Sequence, residues 1–96
     1  MSEDRIRLDK WLYHIRLFKT RTLAADRISG GGIRVNGQSC SKPSRLVGAG
    51  DHVTISASGR SWALEVVAPG IRRGPATEAR TLYRDLSDDP APLVLE

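Results

Sequence analysis

The chain has 96 residues, 40% of them hydrophobic and 27% charged, with a formal net charge of +4 at pH 7. That suffices for one modest core in a single globular domain, and no apolar run approaches the roughly 20 residues of a membrane span. The start Met1-Ser2-Glu3-Asp4 is acidic and not apolar, and Cys40 stands alone, so neither a signal peptide nor an internal disulfide is expected, which fits a reducing cytoplasm.

Leu8, Trp11, Leu12 and Ile15 repeat at i, i+3, i+4 and i+7, which predicts a short amphipathic helix with Asp9 as its N-cap. After a break at Leu17-Phe18-Lys19, Thr20 is the expected N-cap of a second helix reaching Ser29. Leu23, Ala24 and Ile28 should face inward there, and Gly30-Gly31-Gly32 ends it. Ile33, Arg34 and Val35 alternate as a half-buried strand does. Asn36-Gly37 is the two-residue turn of a hairpin whose return strand covers 38–40. Lys42-Pro43-Ser44 connects to a short edge strand at 45–47, and 48–51 is a turn. Residues 52–56, with Val53 and Ile55 inward, and 61–67, with Trp62, Leu64 and Val66 inward, form a hairpin around Ser58-Gly59. A linker holding Arg72-Arg73 follows. A third helix is predicted over 75–86, with Pro75 in its first turn and Ala79, Leu82, Tyr83 and Leu86 on one face.

These elements make an α+β domain: two short N-terminal helices packed on a small antiparallel β-sheet, with a short C-terminal helix and an acidic tail. The expected divisions are an arm at 1–4, the main domain at 5–68, a linker and C-terminal helix at 69–86, and a flexible or loosely docked tail at 87–96.

The charge is unevenly placed. Ten basic residues lie between Arg5 and Arg45 against only Asp9 and Asp26, a local charge of +8 that leaves −4 for the rest of the chain. Such asymmetry points to a polyanion partner for the first half; by charge alone RNA, DNA and an anionic membrane all qualify. The sharpest cluster is Lys19-Thr20-Arg21 at the start of the second helix. Free backbone N–H groups and the partial positive charge of a helix N-terminus disfavour cations there, so a cap hydroxyl between two cations suits a phosphate. Arg16 should emerge near the same corner. Arg34 points away from the core, with Asn36 and Gln38 beside it, and Lys42 and Arg45 extend the basic edge. Together these would follow an RNA backbone by shape and phosphate contact. Arg5, Arg7 and Lys10 read equally well as solvated charges, and Arg27 as a partner within its helix. Trp11 and Trp62 sit on apolar stripes and read as core.

The runs Arg5-x-Arg7-Leu8-Asp9-Lys10-Trp11-Leu12, Arg16, Lys19-Thr20-Arg21, Ile28, Gly32-x-Arg34-Val35-Asn36-Gly37 and Gly50-Asp51-x-Val53 resemble the RNA-binding domain named after ribosomal small-subunit protein four. Arg72-Arg73 with Pro75-Ala76-x-Glu78-Ala79 and Leu82-Tyr83 is similar to its ribosome-associated heat-shock class of fifteen kilodaltons. The resemblance covers about residues 5 to 86. It implies the alpha-L RNA-binding fold, with an RNA surface at Arg5, Arg16, Lys19, Thr20, Arg21, Arg34, Asn36 and Lys42. It also implies binding to ribosomal RNA of the large subunit, with nascent-chain tRNA as a further partner, in the rescue or recycling of stalled subunits. Relatives of this class often continue into a long basic extension, where this chain has an acidic stretch that could compete with RNA for the basic face.

Two other function classes are open. The same domain is often attached to enzymes, but here any catalysis would fall to His14, His52, Cys40 and scattered acids, without metal-ligand spacing, a Walker loop or a nucleophile motif. No catalysis, cofactor or metal is therefore expected. A helix-turn-helix DNA binder is the other class, although its recognition helix would spread base-reading side chains along one exposed face. Another structured RNA, such as tRNA, is a further alternative target, and a plain protein-interaction module the bland one. The expected protein is a cytoplasmic monomer with no membrane partner.

Overall fold

The computed structural model describes residues 5–57 and 59–86. Strand β1 (Arg5–Arg7) runs directly into helix α1 (Leu8–His14), and a loop leads to helix α2 (Arg21–Ser29). The hairpin β2 (Ile33–Val35) and β3 (Gln38–Ser39) follows, then β4 (Leu46–Gly48) and the longer hairpin β5 (His52–Ala57) and β6 (Arg60–Val66). The described chain ends with α3 (Ala76–Ala79), a 3-10 turn (Arg80–Leu82) and β7 (Tyr83–Asp85). β1 pairs with β4 in one small antiparallel sheet, and the other sheet has the order β3-β2-β5-β6-β7.

The core forms where the two periodicities meet. Leu8, Trp11 and Leu12 of α1 are fully buried, as are Ala24 and Ile28 of α2, against Ile55, Leu64 and Val66 from the inward positions of β5 and β6. The indole of Trp11 donates to the Ala68 carbonyl at 3.1 Å, which fastens the end of the sheet to α1. Asn36 and Gly37 have φ of 53° and 84°, the positive pair that the tight β2–β3 turn requires. At Gly32, with φ 96°, an added Cβ would lie 2.7 Å from the Ser56 carbonyl oxygen, so the end of α2 can lie this close to β5 only with glycine there.

Several sequence expectations are corrected. Asp9 does not cap α1: the chain arrives extended through β1, Arg7 is the N-cap, and Asp9 lies in the first helical turn with its carboxylate taken by Arg7. Leu23 is 45% exposed, because Ala24 and Ile28, four apart, define the buried face and Leu23 is turned about 100° away from it. The third helix is a single turn. The Thr81 hydroxyl donates to the Glu78 carbonyl, Leu82 is buried, and Tyr83–Asp85 then pairs with β6. The outer edge of β6 offers backbone partners that a continuing helix would leave unmet. β1 was not foreseen. The tail 87–96, the arm 1–4 and Ser58 of the hairpin turn lie outside the described residues.

Candidate nucleic-acid interface

Thr20 is extended, and its hydroxyl oxygen accepts from the Leu23 backbone N–H at 3.1 Å, so α2 starts where the sequence places it. Lys19, Thr20 and Arg21 are all exposed, and the first turn of α2 carries no acidic residue. The packing of α1 on α2 brings Arg21 to Asp9, whose Oδ2 lies 3.7 Å from the arginine Nε. The same carboxylate accepts from Arg7, Nε to Oδ1 at 3.1 Å and Nη2 to Oδ2 at 2.9 Å. The Asp9 side chain is 4% exposed, whereas those of Arg7 and Arg21 are 46% and 44% exposed. This hydrogen bond, and then the carboxylate charge, hold the Arg7 guanidinium above its already high ordinary pKa, so it is a fixed cation.

β1 continues the line. Ile6 is buried and Arg5 and Arg7 flank it on the exposed side, as the alternation of a strand dictates. Leu8 donates its backbone N–H to the Arg45 carbonyl at 2.8 Å and Asp9 donates to the Pro43 carbonyl at 3.2 Å, which lays the 42–45 segment alongside. A shallow depression lined by Arg5, Lys42, Ser44, Arg45, Leu46 and Asp51 results. Of the expected site residues, Lys19, Thr20 and Arg21 therefore share one end of a basic track and Arg5 and Lys42 the other, with Arg7 and Asp9 between.

The remaining three are placed differently. Arg16 has φ 68°, and its Nη1 donates to the Gly74 carbonyl at 2.8 Å, so it is tied to the 69–75 linker. The Asn36 amide nitrogen donates to Asp51 Oδ1 at 3.1 Å, and its oxygen accepts from the His52 N–H at 2.9 Å, so the side chain locks its own turn to the one that borders the depression. Arg34 is exposed on β2, in register between Ser39 and Thr54. Arg7 and Asp9 are what sequence reasoning missed. The Arg-x-Asp pair at a helix start was the available signal, but Arg5-Ile6-Arg7 adjoins no turn that would mark it as a strand.

Of the side chains considered for catalysis, His52 is exposed on β5 and two others have close partners. His14 is buried at the end of α1 with Nδ1 3.1 Å from the Pro69 carbonyl, and the Cys40 thiol lies 3.7 Å from the Lys42 carbonyl. Among the described residues no group of three His, Cys, Asp or Glu side chains could hold a metal ion, and no helix is long and apolar enough to cross a membrane.

Comparison with known proteins places this geometry in a family. The S4 domain model matches residues 6–53. Heat shock protein 15 of Escherichia coli K12 is 40% identical over 83 residues, which are 86% of this chain and 62% of that protein. The RQC P-site tRNA stabilizing factor of Helicobacter pylori J99 is 42% identical over 50 residues, 52% of this chain and 58% of that one. The chain thus spans about three fifths of the length of these curated relatives. A solved trimeric structure of Vibrio cholerae heat shock protein 15 is similar with a TM-score of 0.79 at 36% identity, covering 86% of this chain and 83% of that one. The match across half its length, and the shared fold and sequence over most of it, show that this chain belongs to the S4-domain family and, within it, to the heat shock protein 15 group.

Proposed function

We propose that this chain binds structured RNA without catalysing a reaction, and that its target is ribosomal RNA of the large subunit. One observation carries this reading: cations from three separate segments, at Lys19 and Arg21, at Arg5 and Arg7, and at Lys42 and Arg45, line one track that includes the start of α2. A track of this kind holds phosphates by charge and position rather than reading base edges. In this reading Thr20 presents the free N–H groups of α2, and Arg34 extends the contact along β2. Arg16 and Asn36 hold the linker and the turn behind the surface. The role proposed is rescue or recycling of stalled large subunits that carry a nascent chain, in the cytoplasm, by a monomer. The heat shock protein 15 likeness and the tRNA-stabilising relative support the rescue role, not the monomer.

A second target is favoured by a specific match: the Helicobacter pylori relative is named for stabilising P-site tRNA, so the tRNA bearing the nascent chain is a candidate contact beside ribosomal RNA. The test is sedimentation of the tagged protein with ribosomal fractions at low and moderate salt, alongside Lys19→Ala/Arg21→Ala. Co-migration with large subunits that the variant loses supports the proposal. Absence from every ribosomal fraction overturns the ribosomal target, and preference for duplex DNA over structured RNA in competition overturns the RNA reading. Because the Vibrio cholerae protein is trimeric in its solved structure, the mass of the free protein is read by sedimentation equilibrium. A value near 10.5 kDa supports the monomer, and three times that value overturns it.

A further inference from the structure

We infer that Asp9 is a positioning residue that holds Arg7 and Arg21 as a paired guanidinium clamp for one RNA phosphate, and that Arg7 is itself a phosphate ligand; this rests on the RNA-binding reading above.

The geometry is that of a carboxylate facing inward and two cations facing outward. Asp9 is almost fully enclosed, so its charge is not presented to a ligand, while both arginines keep nearly half of their side chains in solvent. Arg7 spends two of its five N–H donors on Asp9, one from Nε and one from Nη2, which leaves three directed elsewhere. Arg21 stands 3.7 Å from Asp9 at its Nε, an ion pair beyond hydrogen-bond length, so its donors are not spent on the carboxylate. Two cations and one anion leave the cluster at +1, and the free N–H forks suit the oxygens of a phosphate. Asp9 is held in turn, since its backbone N–H donates to the Pro43 carbonyl beside Lys42. The clamp is therefore built before RNA arrives, and side chains that would otherwise be ordered on binding are ordered already.

A carboxylate on an RNA-binding face makes opposite predictions by charge and by position. By charge alone, Asp9→Asn removes a repelling anion and strengthens binding. By position, it releases two arginines and weakens binding. The measurement is fluorescence-anisotropy titration with ribosomal RNA freed of protein from large subunits, at several salt concentrations well below the melting temperature of each variant. We expect Asp9→Asn to bind about five- to tenfold more weakly than the wild type despite its extra positive charge. Arg7→Ala should bind more weakly by a similar factor and flatten the salt dependence by about one unit of slope. Adding Asp9→Asn to Arg7→Ala should cost less than Asp9→Asn does alone, because the two act through one clamp. Asp9→Asn binding as tightly as the wild type, or more tightly, overturns the inference. Should that variant fail to fold, Arg7→Lys decides, since it keeps the charge but loses the two-point fork: weakened binding supports the clamp, and wild-type binding by both Arg7→Lys and Arg7→Ala overturns it. No binding by the wild-type protein would instead remove the RNA reading on which the clamp rests.

Discussion

Arg16 sits at φ 68°, where a side chain crowds its own backbone, and its guanidinium spans to the Gly74 carbonyl. The two facts pull stability in opposite directions. The left-handed conformation costs about 1–2 kcal/mol for a residue with a Cβ, and a part-buried hydrogen bond from a charged donor returns about 1.5–3 kcal/mol. Arg16→Ala keeps the strain and loses the bond, whereas Arg16→Gly loses both. Urea denaturation should therefore find Arg16→Gly about 1 kcal/mol more stable than Arg16→Ala, with both below the wild type. Equal stabilities would mean that the backbone at this position is not strained. The charge of Arg16 was legible in the sequence, but its destination was not, because Gly74 is 58 residues away. Asn36 divides the same way. The turn was readable from Asn36-Gly37, since turn chemistry is local, while the bond from Asn36 to Asp51 depends on two loops meeting in space.

Elements with a full period or a strong cap were read correctly. Thr20 announced α2 through its hydroxyl, and the alternating residues of β5 and β6 announced their inward faces. β1 and β7 escaped because their three residues adjoin no turn signal, whereas β2, equally short, runs into Asn36-Gly37. Leu82, Tyr83 and Leu86 fit a helical face as well as a strand entry, and the backbone demand of β6 decided between them. At the two ends of β7 the Val67 N–H donates to the Leu82 carbonyl and the Leu86 N–H to the Ala63 carbonyl, so by alternation Arg84 and Glu65 form the bonded pair between. Arg84→Pro removes that ladder donor and should lower the unfolding free energy by about 2 kcal/mol, with faster amide exchange along β6. Arg84→Ala removes only the exposed side-chain ion pair with Glu65, at 3.8 Å, and should change stability by less than about 0.5 kcal/mol. If both substitutions cost the same, β7 covers β6 through its side chains and not its backbone.

Over the whole molecule, the charge that sequence composition reveals is a sum, whereas binding depends on where the charge is placed. The net charge of +4 masks a +8 stretch, and within that stretch the fold selects again. Arg16 is turned to the linker, and Lys19, Arg21, Arg7, Arg5, Lys42 and Arg45 are drawn along one track. This separates two accounts of any RNA affinity. If net charge governs, removing any two cations weakens binding equally. If the track governs, only its own members matter, because each phosphate contact releases its own counterions. Arg80 and Arg84 are both exposed, and belong to the 3-10 turn and to β7, which contribute nothing to the track. Lys19→Ala/Arg21→Ala and Arg80→Ala/Arg84→Ala change the net charge by the same two units. Titrations against structured RNA across a range of salt should show the first pair lowering the slope of log K against log salt by roughly two, and the second by less than about 0.5. Equal reductions would assign the affinity to the overall field of the protein, and the track would then have no special part in binding.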